Sequence, residues 1–356
     1  MHWTGPRRLG GVGLPLTRLR RSETLHIDNG IKGNHTAEML LLVLLTACHP
    51  IPEPPPTEEE TGGDTGEEVI PIQTTWDCDN LPGRPLAQED FPGHANEDIT
   101  MDAQGYIVGA DRFRNLWRTD VDGHTTLIIP DTGVNAGLRL MWWNGKLASA
   151  SYVTDAIWEI DPETGATELM VGGLSTPSGI EIGADRALWF GELNGNRVQR
   201  YHPESDTLTL ITDQLLRPNG LTFNNAYDRL YVAATEEGHI YAIDIDPDTS
   251  EVIGEPWIFV ANAGNGIDGL SVDACDNLYA GWWAEARIER WKPDGSGYEL
   301  LVDKPVRDFA LGNWVWGNAD FGWNPTSIFA VKFGDAQIRR FELGVGEKSR
   351  PGPLAP

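Results

Sequence analysis

The chain has 356 residues, 40% of them hydrophobic, with 40 glycines, 14 tryptophans and a net charge of -26. That length suits one large domain with tails, and the acidic balance excludes the basic footprint that nucleic-acid binding requires. Much of the acidity is concentrated in one short stretch, so it speaks for solubility more than for a ligand.

Residues 1–38 carry six basic residues, including Arg7, Arg8, Arg18, Arg20 and Arg21, with no strand or helix pattern. The run MLLLVLLTACHP from Met39 is too short to span a bilayer, which takes about 20 residues. It fits the apolar core of a secretory signal. Its Leu45-Thr46-Ala47-Cys48 resembles a bacterial lipobox, which implies cleavage before Cys48 and acylation of that cysteine, stable anchoring taking more than one chain. Residues 1–47 are thus a leader, with initiation at Met1 giving a long basic segment and initiation at Met39 giving none. His49–Glu68 holds seven acidic residues, five prolines and no basic ones. Such a segment buries no apolar face, so residues 48–68 are expected to be a lipidated, extended and disordered tether. The implied location is the bacterial cell envelope, lipid-anchored, or the secreted fraction, with the lipid as the sole membrane contact.

Residues 69–344 repeat one pattern six times, clearest in RPNGLTFNNAYDRLYVAAT from Arg217: a Pro-Asn-Gly turn, a short apolar strand, a polar hairpin turn and a second strand. Aligned on Asn219, the other copies place Glu97, Ala136, Ser178, Asp268 and Asp308 at the same position. A period of roughly forty residues, each unit reading as four short strands, marks β-propeller blades. The fold class is therefore all-β, a six-bladed propeller of four-stranded antiparallel blades, with residues 345–356 as a polar C-terminal tail. Blade six supplies three strands only, so the segment from about Val69 to Phe91 is expected to donate the fourth and close the ring.

The aligned residues begin the innermost strands and should face one another across the central channel. Each alone is ordinary turn chemistry. In register, crowded carboxylates with other oxygen donors call for a hard cation, calcium most simply, although another divalent ion would also serve. His94, three residues before Glu97, is a candidate at the channel mouth.

With Cys48 lipidated, Cys78 and Cys275 remain as an even pair and are expected to form a disulfide. The tryptophans, Trp142-Trp143 among them, mostly fill the diverging space between blades; for Trp282 or Trp283, and Trp314 or Trp316, alternation along a strand leaves open a place lining a pocket over the channel. There is no G-x-S-x-G, H-E-x-x-H or C-x-x-C motif.

NEDITMDAQGYIVGAD, RPNGLTFNNAYDRLYVAAT and IDGLSVDACDNLYAG together resemble the E-G-P, P-N-G-L and D-G motifs of the senescence-marker-protein, gluconolactonase and luciferin-regenerating family, over about residues 90–341. The resemblance implies a six-bladed propeller with one divalent cation held by Glu97, Asn219 and Asp268, Asp268 doubling as general base in the hydrolysis of a lactone or small ester. Ser178 and Asp308 are neighbouring channel residues. Two departures stand out: Glu97-Asp98-Ile99 where the family has Glu-Gly-Pro, and Ser175–Gly179 where sugar lactonases carry an arginine and Asn-Asp-Gly. The alternative is a non-catalytic ligand- or protein-binding propeller with a structural calcium. Blade three also resembles a virginiamycin B lyase repeat, but blades five and six hold no histidine for that chemistry. The expected partner is a small lactone or ester substrate, and the expected state a monomer.

Overall fold

A computed structural model describes residues 76–95, 97–133, 137–283, 285–304, 310–333 and 337–349. The leader, Cys48, the tether, Ala136 and Asp308 lie outside these residues. Six four-stranded antiparallel sheets follow one another along the chain. Their innermost strands are Ile99–Met101, Leu138–Met141, Pro177–Ile182, Pro218–Phe223, Ile267–Val272 and Ala310–Trp316.

Blade three illustrates why these sequences form strands. Leu188–Glu192 is buried along its whole length, whereas Thr207–Thr212, the outermost strand, is mainly exposed. Inner strands covered on both faces read as continuous apolar runs, and outer ones do not. Large side chains then wedge between neighbouring sheets: Trp189, Phe190, Trp282, Trp314 and Tyr279 are all fully buried or nearly so. The tryptophan pairs divide. Trp282 is buried while Trp283 is 47% exposed, and Trp314 and Trp316 both point their indole N–H groups at Ser271 Oγ, at 2.7 and 3.3 Å.

The expected donor strand is Ala87–Phe91, which pairs antiparallel with Gln337–Glu342 from Ala87 opposite Glu342 to Phe91 opposite Ile338. Arg340 and Arg339 meet Glu89 and Asp90 across this pairing at 2.8 and 3.2 Å. The sheet of blade six is thereby completed by the segment that precedes blade one. Cys78 and Cys275 are bonded, with Cα atoms 5.6 Å apart and a sequence separation of 197, which fastens that segment to blade five.

The C-terminal end departs from the tail expected at 345–356. Residues 345–349 are seated on the propeller: Val345 is fully buried, Ala274 N–H donates to Gly346 O at 2.9 Å and Lys348 N–H donates to Val272 O at 3.2 Å. The Lys348 ammonium donates to Phe223 O at 2.8 Å and lies 4.9 Å from the Tyr227 ring centroid. These residues close one end of the channel over a cavity of ≈ 60 Å³ lined in part by Thr100, Arg139, Glu181 and Trp314. A polar composition concealed this docking because it is made by backbone groups and a buried ammonium, neither of which needs an apolar sequence.

Replacing Cys78 with serine should lower the unfolding free energy by about 2–4 kcal/mol, the usual worth of a bridge closing a long loop. A urea midpoint in the variant equal to that of the oxidised parent would show that the bridge contributes nothing.

Candidate cation site at the channel mouth

The residue pairs that the sequence presents as turns are built into strands. In blades three to six the ladder between first and second strand is interrupted by a bulge, and the bulged residues are Ser178-Gly179, Asn219-Gly220, Asp268-Gly269 and Gly312-Asn313. A bulge re-aims a side chain out of the regular alternation, here at the start of each inner strand. The glycines have a steric reason. A Cβ on Gly220 would lie 1.9 Å from Asp268 O, one on Gly179 2.3 Å from Asn219 O, and one on Gly269 2.4 Å from Gly312 O. Neighbouring inner strands are therefore packed backbone against backbone, and only glycine fits.

This register assigns blade six differently from the sequence alignment. Leu311 and Trp314 pair as Pro218 and Leu221 do, so the counterpart of Asn219 is Gly312. Asp308, four residues earlier, is outside the described residues. Gly312 itself passes between two acids: its Cβ would sit 3.2 Å from Glu97 O and 3.4 Å from Asp268 Oδ2.

Glu97, Ser178, Asn219 and Asp268 are brought together at one end of the channel. Ser178 Oγ donates to Asn219 Oδ1 at 2.7 Å, the Asn219 amide is hydrogen-bonded to the Asp268 carboxylate, and Tyr152 donates to Glu97. Burial and the nearby carboxylates of Glu97 and Asp98 push Asp268 up to about 8. Burial and Asp98 push Glu97 up to about 7, against the Tyr152 hydrogen bond. The charges acting on Asp268 are both negative.

Asp98 belongs to the same cluster and was not singled out by sequence as a site residue. It is 7% exposed and occupies the position filled by glycine in Gly137, Gly179, Gly220 and Gly269. Its Oδ1 accepts from Asn313 Nδ2 at 2.5 Å and from Ile99 N–H at 3.1 Å, and its Oδ2 accepts from Leu138 N–H at 3.1 Å. One carboxylate thus ties blades six, one and two together. Burial raises it to about 6, opposed chiefly by the Arg139 guanidinium. The available signal was the break in the repeat: Asp98 and Asn313 are the two places where the glycine is replaced.

His94 does not join the ring. Its imidazole packs against Trp117 in a tilted arrangement, with centroids 4.3 Å apart, along a groove shared with Asp111 and Phe113. Because Trp117 is on the third strand of blade one, this contact holds the ring away from the channel. Asp120, Asp122 and His124 bring possible ligand atoms within 4.8 Å of one another. That cluster is a tight turn in which Asp120 Oδ1 accepts the N–H groups of Asp122 and His124.

The donor set at the channel mouth fits a calcium ion: two carboxylates with an amide and a hydroxyl oxygen are the hard ligands calcium takes, and buried carboxylates repelling one another are relieved by positive charge.

Residues 181–308 match the family model described as the SMP-30/Gluconolactonase/LRE-like region. The chain carries that region. It contains Asn219 and Asp268, while Glu97 and Gly312 lie outside the matched span. A Rhizobium meliloti (strain 1021) protein named as a sugar lactone lactonase is 26% identical over 184 residues, 47% of this chain; the chain spans 60% of that relative's length. Among solved structures, a gluconolactonase from Xanthomonas campestris is 21% identical with a TM-score of 0.59, over 71% of this chain and 88% of that one. Regucalcin from Agrobacterium tumefaciens, described as a calcium-binding protein, is 18% identical with a TM-score of 0.60, over 77% and 97%. These likenesses establish the propeller architecture around the gluconolactonase-like region.

The cluster makes stability depend on pH in a stated direction. Glu97, Asp98 and Asp268 have folded-state values near 7, 6 and 8, above the ordinary 4.5, 3.8 and 3.8. The folded state therefore binds these protons more tightly, and stability falls as pH rises through that window. Metal-free protein should unfold at lower denaturant at pH 8.5 than at pH 5.5, and calcium should reverse the difference; a flat profile between those pH values would contradict the cluster. Removing the Asn313 amide with Asn313→Ala should cost about 1–3 kcal/mol, the penalty for a buried acceptor left short of a partner, measured by urea unfolding of the metal-free protein.

Proposed function

We propose that this protein is a calcium-dependent hydrolase of a lactone or other small ester, working at the channel mouth. The observation that carries the reading is the convergence of Glu97, Asn219 and Asp268, with Ser178 beside them, in a region where burial and mutual repulsion raise the pKa values of the acids. The similarity of residues 181–308 to the gluconolactonase-like region, and of part of the chain to a protein named as a sugar lactone lactonase, supports the choice of reaction.

Glu97, Asn219 and Asp268 would hold the ion. Calcium bound there supplies Lewis acidity toward the ester carbonyl and a place to orient water. Hydrolysis forms a bond from the water oxygen to the acyl carbon, breaks the acyl–oxygen bond of the ring, and delivers the proton lost by water to the departing alkoxide. Asp268 would take that proton, a role supported by the hydrogen bond from the Asn219 amide that orients its carboxylate. Ser178 fixes the amide of Asn219, and Tyr152 fixes Glu97. Asp98, with all its described hydrogen bonds turned to blades six, one and two, is a positioning residue. The lipobox-like sequence ending at Cys48 supports placing this hydrolase in the bacterial cell envelope.

Asp268→Ala should abolish stoichiometric calcium binding in titration calorimetry and reduce kcat by roughly 10²–10⁴-fold, the usual contribution of a positioned base. Wild-type protein that binds calcium but turns over no member of a broad lactone and ester panel would assign the ion a structural role.

A further inference from the structure

Above the ring of oxygen donors lies a second tier, made by the first residue after the second strand of each blade. In blade two this residue is Tyr152, after Lys146–Ser151, and in blade five it is Trp283, after Leu278–Trp282. Blades two and five face each other across a six-bladed ring. Both side chains are open to solvent, at 36% and 47%. Tyr152 is fixed to Glu97. The Trp283 backbone N–H donates to Gly266 O at 3.1 Å, and a Cβ on Gly266 would lie 3.3 Å from the indole nitrogen, so this ring stands beside Gly266, two residues before Asp268. The entrance is therefore flanked by two aromatic rings, one hydrogen-bonded to Glu97 and the other packed beside Gly266, two residues before Asp268.

Elsewhere in the tier, among the described residues, polar groups are turned away from a ligand. Asp111 holds the place in blade one, its Oδ1 accepting from Phe113 and Asn115 N–H at 2.7 and 3.1 Å and its Oδ2 from Asn115 Nδ2 and Trp117 Nε1, both at 2.9 Å. The blade-six position falls outside those residues. Leu193 holds the same place in blade three, its N–H donating to Thr176 O at 3.0 Å. Thr235 holds it in blade four, its hydroxyl donating to Ile267 O at 2.7 Å. Polar groups in the loop before the third inner strand are likewise turned inward: Ser175 N–H donates to Glu192, and Thr176 Oγ1 accepts from Asn194 at 2.7 Å. A site meant to grip sugar hydroxyls leaves polar groups facing the ligand, because unmatched hydroxyls in an apolar site lose their water without compensation.

We infer that the mouth takes a cyclic ester bearing an apolar, preferably aromatic, body in preference to a sugar lactone. The inference rests on the hydrolase reading above. It places the substrate body between Tyr152 and Trp283, with the ester carbonyl directed down at the oxygen ring.

The test uses the full chain loaded with calcium. Its probes are dihydrocoumarin as aryl lactone, glucono-δ-lactone as sugar lactone, and the lactam analogue of dihydrocoumarin as a ligand that does not hydrolyse. Expected is kcat/KM for the aryl lactone about 10- to 200-fold above that for the sugar lactone, the range an apolar contact provides. Trp283→Ala should raise KM for the aryl lactone roughly tenfold with a smaller change in kcat, as loss of uniform binding does, and Trp283→Phe should restore it. Equal or better turnover of the sugar lactone overturns the inference and leaves the hydrolase reading standing. Lactam binding that depends on Trp283, without hydrolysis of either lactone, sustains the apolar mouth and removes the hydrolase reading. Failure of both turnover and lactam binding overturns both.

Discussion

The structure turns on how closely the innermost strands approach one another at one end of the channel. Glycine at 179, 220 and 269 lets the backbone oxygen of the next blade come to within the space a Cβ would fill. That approach draws Asp268, Glu97 and Asp98 into a volume where they cannot all ionise independently. Burial, and repulsion with it, then raise the pKa values of Glu97 and Asp268 toward neutrality. The bulges, the Ser178 to Asn219 hydrogen bond and the Tyr152 contact are ways of directing these groups once they have been forced together.

Ring closure and site geometry are one problem in this molecule. Blade six passes Gly312 between Glu97 and Asp268, so the blade completed by a strand from the other end of the chain is also the spacer between two candidate ligands. Asp98 and Asn313 hydrogen-bond across the same seam. The outer pairing of Ala87–Phe91, the Cys78–Cys275 bridge and the docked residues 345–349 secure the periphery and the far end. A loosened seam would move the acids apart as directly as a substitution among them.

The oxygen ring and the tier above it divide the labour. The ring is made of bulged strand residues held by neighbouring backbones, which leaves little freedom to vary. The upper tier is made of residues just past strand ends, where a side chain can change size and polarity without disturbing a ladder. On the reading proposed above, Tyr152 and Trp283 bear on which molecule enters, and Glu97, Asn219 and Asp268 on what is done to it.

The amino-acid sequence by itself determined the repeat, the number of blades, the need for a donated strand and the cysteine pair, because each follows from local periodicity or from a count of groups needing partners. It also singled out Glu97, Ser178, Asn219 and Asp268, whose alignment depends only on the phase of the repeat. Three matters were settled in three dimensions. Gly312 replaces Asp308 as the sixth counterpart because register follows the hydrogen-bonded ladder and not the nearest acidic residue. Asp98 enters the cluster because its partners, Leu138 and Asn313, are distant in the chain. His94 leaves it because packing against Trp117 orients the ring, and sequence proximity to Glu97 has no bearing on that direction. Periodic, local constraints are written along the chain; which side chains meet across a closed ring depends on how six sheets pack, and that is fixed only when the ring is complete.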